Sequence, residues 1–378
     1  MRQRDRNPPL LSSAAKGRGI SGRRRHYSNL EALRGIAALM VVLHHLSLQR
    51  GSILAGNPLL AQGWLFVDLF FVLSGFVIAS VHASSQASGE VASGFLIRRL
   101  FRLYPLHLAT LLAALALDVA DSTAALPGYP VMLGLNLAMV HSWGLVPGSV
   151  LNGPSWSISA EWAAYCLFAM VALVAPTVRL RLWVMAAVGL ASLGALLFWR
   201  GGDLGGDLLL RVPRCLMSFA LGTLVWGLLR DRQLLKARTA VMAQLAIAVA
   251  MGAALIGSAS LPLVGLAMPL LSAMMIAAMV CDPGSAASRW LDRAIPQWLG
   301  QHSYSLYMVH IPLFGALIIA GGDRLAPDLF ALFGLVLLAL VSAATFRWIE
   351  RPWRDTGRNL ARTVEQSRLV GRDPLQLI

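Results

Sequence analysis

Ten apolar stretches punctuate this chain, each long enough to cross a lipid bilayer as a helix of roughly 20 residues. They cover about 30–48, 64–82, 103–120, 157–175, 181–199, 211–229, 240–257, 262–281, 303–320 and 327–348. Charged residues make up only 13% of the sequence, about half the share usual in soluble domains. The expected fold is therefore all-α, a polytopic membrane protein with about ten transmembrane helices. The stretch YPVMLGLNLAMVHS at 130–143 is too short to span and reads as an interfacial or re-entrant element.

Loop charges test that count. Arg98, Arg99, Arg102, Arg179, Arg181, Arg230, Arg232, Lys236, Arg238, Arg289 and Arg293 fall on the side of the N-terminal tail, together with the Arg-rich C-terminus. On the other side, loop 121–156 has no Lys or Arg, and loop 200–210 offsets Arg200 with Asp203 and Asp207. The alternation predicts that both termini are cytoplasmic. The expected location is the inner (cytoplasmic) membrane, as a multi-pass protein. Residues 1–27 read as a disordered basic tail, 28–356 as the membrane domain and 357–378 as a second basic tail. The net charge of +14 is spread between apolar segments instead of covering one face, which argues against nucleic acid as a partner. Cys166, Cys215 and Cys281 have the spacing of neither a zinc site nor a disulfide framework. No metal is expected.

Ionisable groups inside spans need an offset for their insertion cost and mark candidate sites. In LRGIAALMVVLHHL, Arg34 and His45 are eleven positions apart. At 100° per residue they share one helix face, about 16–17 Å apart along the axis. His44 points elsewhere. Asp68 in the second span, and Ser157 and Glu161 in the fourth, occupy the same half of the membrane as His45. A carboxylate beside an imidazole fixes its tautomer and stabilises its protonated form. The other half is basic: Arg34, Arg98, Arg99, Arg102 and Arg351 suit a polyphosphate ligand. The ninth span adds Tyr304, Tyr307 and His310. The plainer readings are a snorkelling Arg34, an interhelical ion pair, positive-inside anchors and a satisfied core histidine.

Taken in order, LRGIAALMVVLHH, VDLFFVLSGFVI, RRLFRLYP, PSWSISAEWAAY, YSLYMVHIP and ERPW resemble the integral-membrane acyltransferase 3 family from about Leu30 to Trp353. The resemblance implies acyl transfer, commonly acetyl from acetyl-CoA or another acyl-CoA, to a hydroxyl of a glycan or other acceptor. It implies that His45 is catalytic and that Arg34 serves donor binding or catalysis. On this reading Asp68 and Glu161 assist His45 as general base. Arg98, Arg99, Arg102, Arg351, Tyr307 and His310 join Arg34 around the donor. Trp156, Ser157, Arg211 and Arg214 face the acceptor. Two departures stand out: Phe66 replaces a usual glycine, and Arg214–Cys215 replace an acidic–aromatic pair. The alternative is a proton-coupled secondary transporter using the same charges, against which stands the lack of an obvious inverted repeat.

Overall fold

A computed structural model describes residues 27–48, 51–82, 89–120, 128–147, 150–200, 203–204, 208–230 and 237–370. Residues 1–26, expected to be disordered, and 371–378, the end of the expected basic tail, lie outside the described residues. Fourteen α-helices and no strand occur among the described residues. They are α1 (Ser28–Ser47), α2 (Pro58–Ala61), α3 (Val67–His82), α4 (Gly89–Ala120) and α5 (Tyr129–Leu137). Next come α6 (Trp156–Val174), α7 (Val178–Arg200), α8 (Arg211–Leu229), α9 (Ala237–Ser258) and α10 (Ala267–Cys281). The last are α11 (Ala286–Leu291), α12 (Ala294–Ile319), α13 (Pro327–Thr345) and α14 (Arg351–Val370).

Among the described residues, ten helical segments are long and apolar enough to span, as the sequence predicts. Two begin earlier than expected. The third starts in α4 at Gly89 and carries Arg98, Arg99 and Arg102 inside the helix. The ninth starts at Ala294. The stretch around 130 forms α5, only nine residues long. The segment assigned to a tail from 357 is instead helical to Val370, because a π-type turn at Phe346–Glu350 carries α13 directly into α14.

Side-chain bonds join ends of these helices that are far apart in sequence. Ser28 donates to Asp292 at 2.7 Å, and Arg98 pairs with Glu365 at 2.8 Å. At the opposite face, Asp328 accepts from Ser52 at 2.9 Å and from the Ile53 N–H at 2.7 Å.

Apolar burial gives no net drive between helices surrounded by lipid, so close backbone packing between small residues has to hold them. Glycine supplies it twice. A Cβ on Gly75 would lie 2.0 Å from the Phe219 carbonyl oxygen, and one on Gly222 2.0 Å from that of Val72, locking α3 to α8. A Cβ on Gly35 would lie 2.3 Å from the Gly300 nitrogen, and one on Gly300 2.4 Å from the Glu31 carbonyl oxygen, locking α1 to α12. Gly300→Ala must therefore push two backbones apart. The expected cost is about 1–3 kcal/mol, read as a lower melting temperature in detergent. Gly194→Ala, which meets nothing within 4 Å, is expected to show no such drop.

Candidate active site

A cavity of about 490 Å³ enters the helix bundle from the face that carries the described ends of the chain. One wall is α3, from Phe70 to Val81, a run of eleven helical steps or about 16 Å. Arg34, Arg99, Arg102 and Arg358 line it together with Glu31 and Tyr27. Arg34 is held by α12: its Nε donates to Ser303 Oγ at 2.8 Å and its Nη2 to the Gly300 carbonyl at 3.2 Å. The Arg99 guanidinium lies over the Phe95 and Tyr165 rings, 5.7 and 5.4 Å from their centroids. Such stacking suits a weakly hydrated guanidinium.

Two of the expected arginines are elsewhere. Arg98 pairs with Glu365 and fastens α14 to α4. Arg351 is exposed and outside the cavity, because the chain continues as helix past it. Arg358, seven residues on and so on nearly the same helical face, reaches the cavity in its stead.

The deep end contains Phe70, Ser157, Glu161, Tyr165 and Tyr307. Glu161 accepts a short hydrogen bond from the Tyr165 hydroxyl, which also meets Ser74 Oγ at 3.0 Å. Ser157 donates to the Tyr307 hydroxyl at 2.9 Å. The Tyr307 ring packs 5.5 Å from Phe70 on one side and 6.0 Å from His310 on the other. Neither His45 nor His310 lines the cavity.

His45 and His310 form a pair. His310 Nε2 is 3.3 Å from His45 Nδ1, and the rings are 4.9 Å apart. The sequence offset of 265 between them is also that between Gly35 and Gly300. Thus α1 and α12 run parallel, and the glycine contact sets the register that joins the histidines ten residues further on. Each imidazole has its tautomer chosen by a backbone carbonyl, which can only accept. His45 Nδ1–H donates to Val41 O at 2.8 Å, and His310 Nδ1–H to Tyr307 O at 2.7 Å. His45 Nε2 therefore keeps its lone pair, and His310 turns its own lone pair on the His45 Nδ1–H.

The carboxylates expected to orient His45 do not supply those bonds. Asp68 is fully buried and taken by Arg214, whose Nη2 and Nε donate at 2.7 and 3.0 Å, and by Ser218 at 3.1 Å. Glu161 belongs to the cavity, with Tyr165. His310, grouped with the donor from sequence, stands beside His45 in their place. Arg214 also lies over Trp64 at 4.7 Å and Trp156 at 5.4 Å, while Arg211 covers Trp156 at 5.6 Å.

The loop after α5 braces this assembly. Pro312 has no N–H to give the Met308 carbonyl, and Asn152 Nδ2 donates to that oxygen at 3.1 Å instead. His141 is stacked on His107 at 5.6 Å; burial and that neighbouring imidazole push its pKa down to about 3. Trp143 donates to the Ser159 carbonyl at 3.1 Å. Sequence reasoning missed Arg358, Tyr165 and Trp64. Only Arg358 left a signal, its seven-residue spacing from Arg351.

Residues 27–348 match the family model Acyl_transf_3, described as an acyltransferase domain. The acyltransferase MdmB of Streptomyces mycarofaciens is 37% identical over 174 residues, 43% of this chain and 44% of that protein. The BcsY protein of Komagataeibacter xylinus is 30% identical over 297 residues, 75% of this chain and 72% of its own length. The peptidoglycan O-acetyltransferase OatA of Listeria monocytogenes is 22% identical over 88% of this chain, which spans 57% of OatA. No solved structure matches significantly.

Proposed function

From the premise that the chain belongs to the acyltransferase 3 family, we propose that it is a membrane O-acyltransferase. It moves an acyl group, acetyl in the first instance, from acyl-CoA to a hydroxyl of a glycan. The observation that carries this reading is the arginine-lined cavity ending one aromatic ring away from the His45–His310 pair. Arg34, Arg99, Arg102 and Arg358 hold the donor's phosphates from the cytoplasmic side, and the apolar wall of α3 receives its arm.

His45 Nε2 takes the proton of the acceptor hydroxyl. The oxygen attacks the thioester carbonyl, the carbon–sulfur bond breaks, and the thiolate leaves with the proton that His45 returns. His310 Nε2 accepts from the Nδ1–H of the transient imidazolium and stabilises it, the task foreseen for a carboxylate.

The test incubates purified protein in nanodiscs with radiolabelled acetyl-CoA and a glycan, following label transfer and thiol release. Transfer with matching thiol release supports the reading. Flux of a solute into proteoliposomes without thiol release would replace it with transport. Arg358→Ala removes a charged contact worth about 1.5–3 kcal/mol. Its donor KM is expected to rise tenfold or more, with the acceptor KM unchanged.

A further inference from the structure

His310 sits in a turn of α12 that cannot close its own backbone bond. The Met308 carbonyl would take the N–H four residues on, but that residue is Pro312, which has none. Helices kink at such prolines, and whatever closes the opened turn decides where its side chains point. Here the donor comes from another element. Asn152, ahead of α6 and 156 positions away in sequence, gives its Nδ2–H to the Met308 carbonyl at 3.1 Å.

We propose that Asn152 is a positioning residue for the His45–His310 pair: it replaces the N–H that Pro312 lacks and so fixes the turn that carries His310. This rests on the reading of the protein as an O-acyltransferase whose proton is moved by that pair, and adds what holds the pair in place.

Three observations support it. First, Met308 lies between His310 and Tyr307, whose carbonyl orients the His310 ring at 2.7 Å. A turn opened at Met308 displaces both the ring and the carbonyl that orients it. Second, the donor is itself anchored. Asn152 is 1% exposed. Its own carbonyl accepts from the Ser155 N–H at 2.9 Å and from the Ser155 hydroxyl at 2.7 Å. His141 Nε2–H donates to the Ser155 carbonyl at 3.1 Å. The same segment continues to Ser157, which holds the Tyr307 hydroxyl at 2.9 Å. Residues 152–157 therefore grip α12 at two neighbouring residues, one by its backbone and one by its ring. Third, the bond adds little to stability. Asn152 Oδ1 is buried with no hydrogen-bond partner among the described residues. A leucine of similar size would free the Met308 carbonyl and remove that oxygen, exchanging one buried unpaired acceptor for another of similar penalty. Orientation of the turn is what asparagine supplies and leucine does not.

The experiment uses the full chain in nanodiscs and two readouts. One is the imidazole nitrogen NMR of ¹⁵N-histidine protein without donor, the His310 signal being identified by its loss in His310→Asn. The other is transfer from radiolabelled acetyl-CoA. Asn152→Leu is expected to shift the His310 signal and to lower kcat about tenfold, with donor KM and melting temperature close to the parent's. Pro312→Ala gives Met308 a partner within its own helix. On that background Asn152→Leu is expected to leave the His310 signal in place and to cost no more than about twofold in kcat. A His310 signal unmoved by Asn152→Leu, or the same shift and loss with and without Pro312, would overturn the assignment. If the signal follows the expected pattern and the parent transfers no acetyl, the reaction is refuted and the positioning role stands. If the parent transfers acetyl and Asn152→Leu alters neither signal nor kcat, the reverse holds.

Discussion

His45→Ala is expected to lower kcat for acetyl transfer by about 10²–10⁴-fold, the usual share of a general base, with the melting temperature nearly unchanged. The ring is half-buried and its removal strands only the Val41 carbonyl, which keeps its helical bonding, and the His310 lone pair. His310→Asn is expected to cost less, about tenfold, because Val41 still selects the His45 tautomer when the stabilising neighbour is weakened. The two effects should separate in the pH profile, since His310→Asn changes how readily His45 holds a proton, whereas His45→Ala removes the titrating group. Both variants are assayed with radiolabelled acetyl-CoA at saturating donor. Unimpaired turnover by His45→Ala would remove this residue from the chemistry altogether.

The second large effect concerns stability. Asp68 and Arg214 are 0% and 3% exposed and joined by bidentate bonds. Removing one partner leaves an uncompensated charge where neither water nor lipid can solvate it, a loss of about 3–5 kcal/mol. Asp68→Ala is therefore expected to aggregate or to elute poorly in fluorescence-detected size exclusion, with a sharply lower melting temperature. The double variant Asp68→Leu with Arg214→Met removes both charges and is expected to regain most of that stability. An Asp68→Ala protein as stable as the parent would mean that the pair is solvated after all.

The ten spans were legible because each is a local property, a run of apolar residues set against the bilayer thickness. Partner choice was not. Asp68 and Arg214 are 146 positions apart, and which carboxylate reaches which cation depends on the rotation of each helix about its axis. The sequence grouped Asp68, Glu161 and His45 by depth alone, and depth does not distinguish neighbours around the bundle. Arg34 and His45 fall on a common face by helical arithmetic, yet that arithmetic names no partner. Ser303 and His310 become those partners through the glycine contact between α1 and α12. The basic C-terminal stretch read as a tail for want of apolar residues, whereas α14 is held by packing on α4: Phe101 against Trp353 at 5.8 Å and Arg98 against Glu365 at 2.8 Å. Arg214, a departure from the family pattern in the sequence, is the residue that binds Asp68 and lies over Trp64 and Trp156.

Tyr307 stands between the arginine-lined cavity and the histidine pair, which the proposed reaction has to bring together. While the Ser157–Tyr307 bond is closed, the phenol ring lies between the deep end of the cavity and His310. If the proposed reaction holds, that one phenol has to change its hydrogen-bond partner before donor and base can meet.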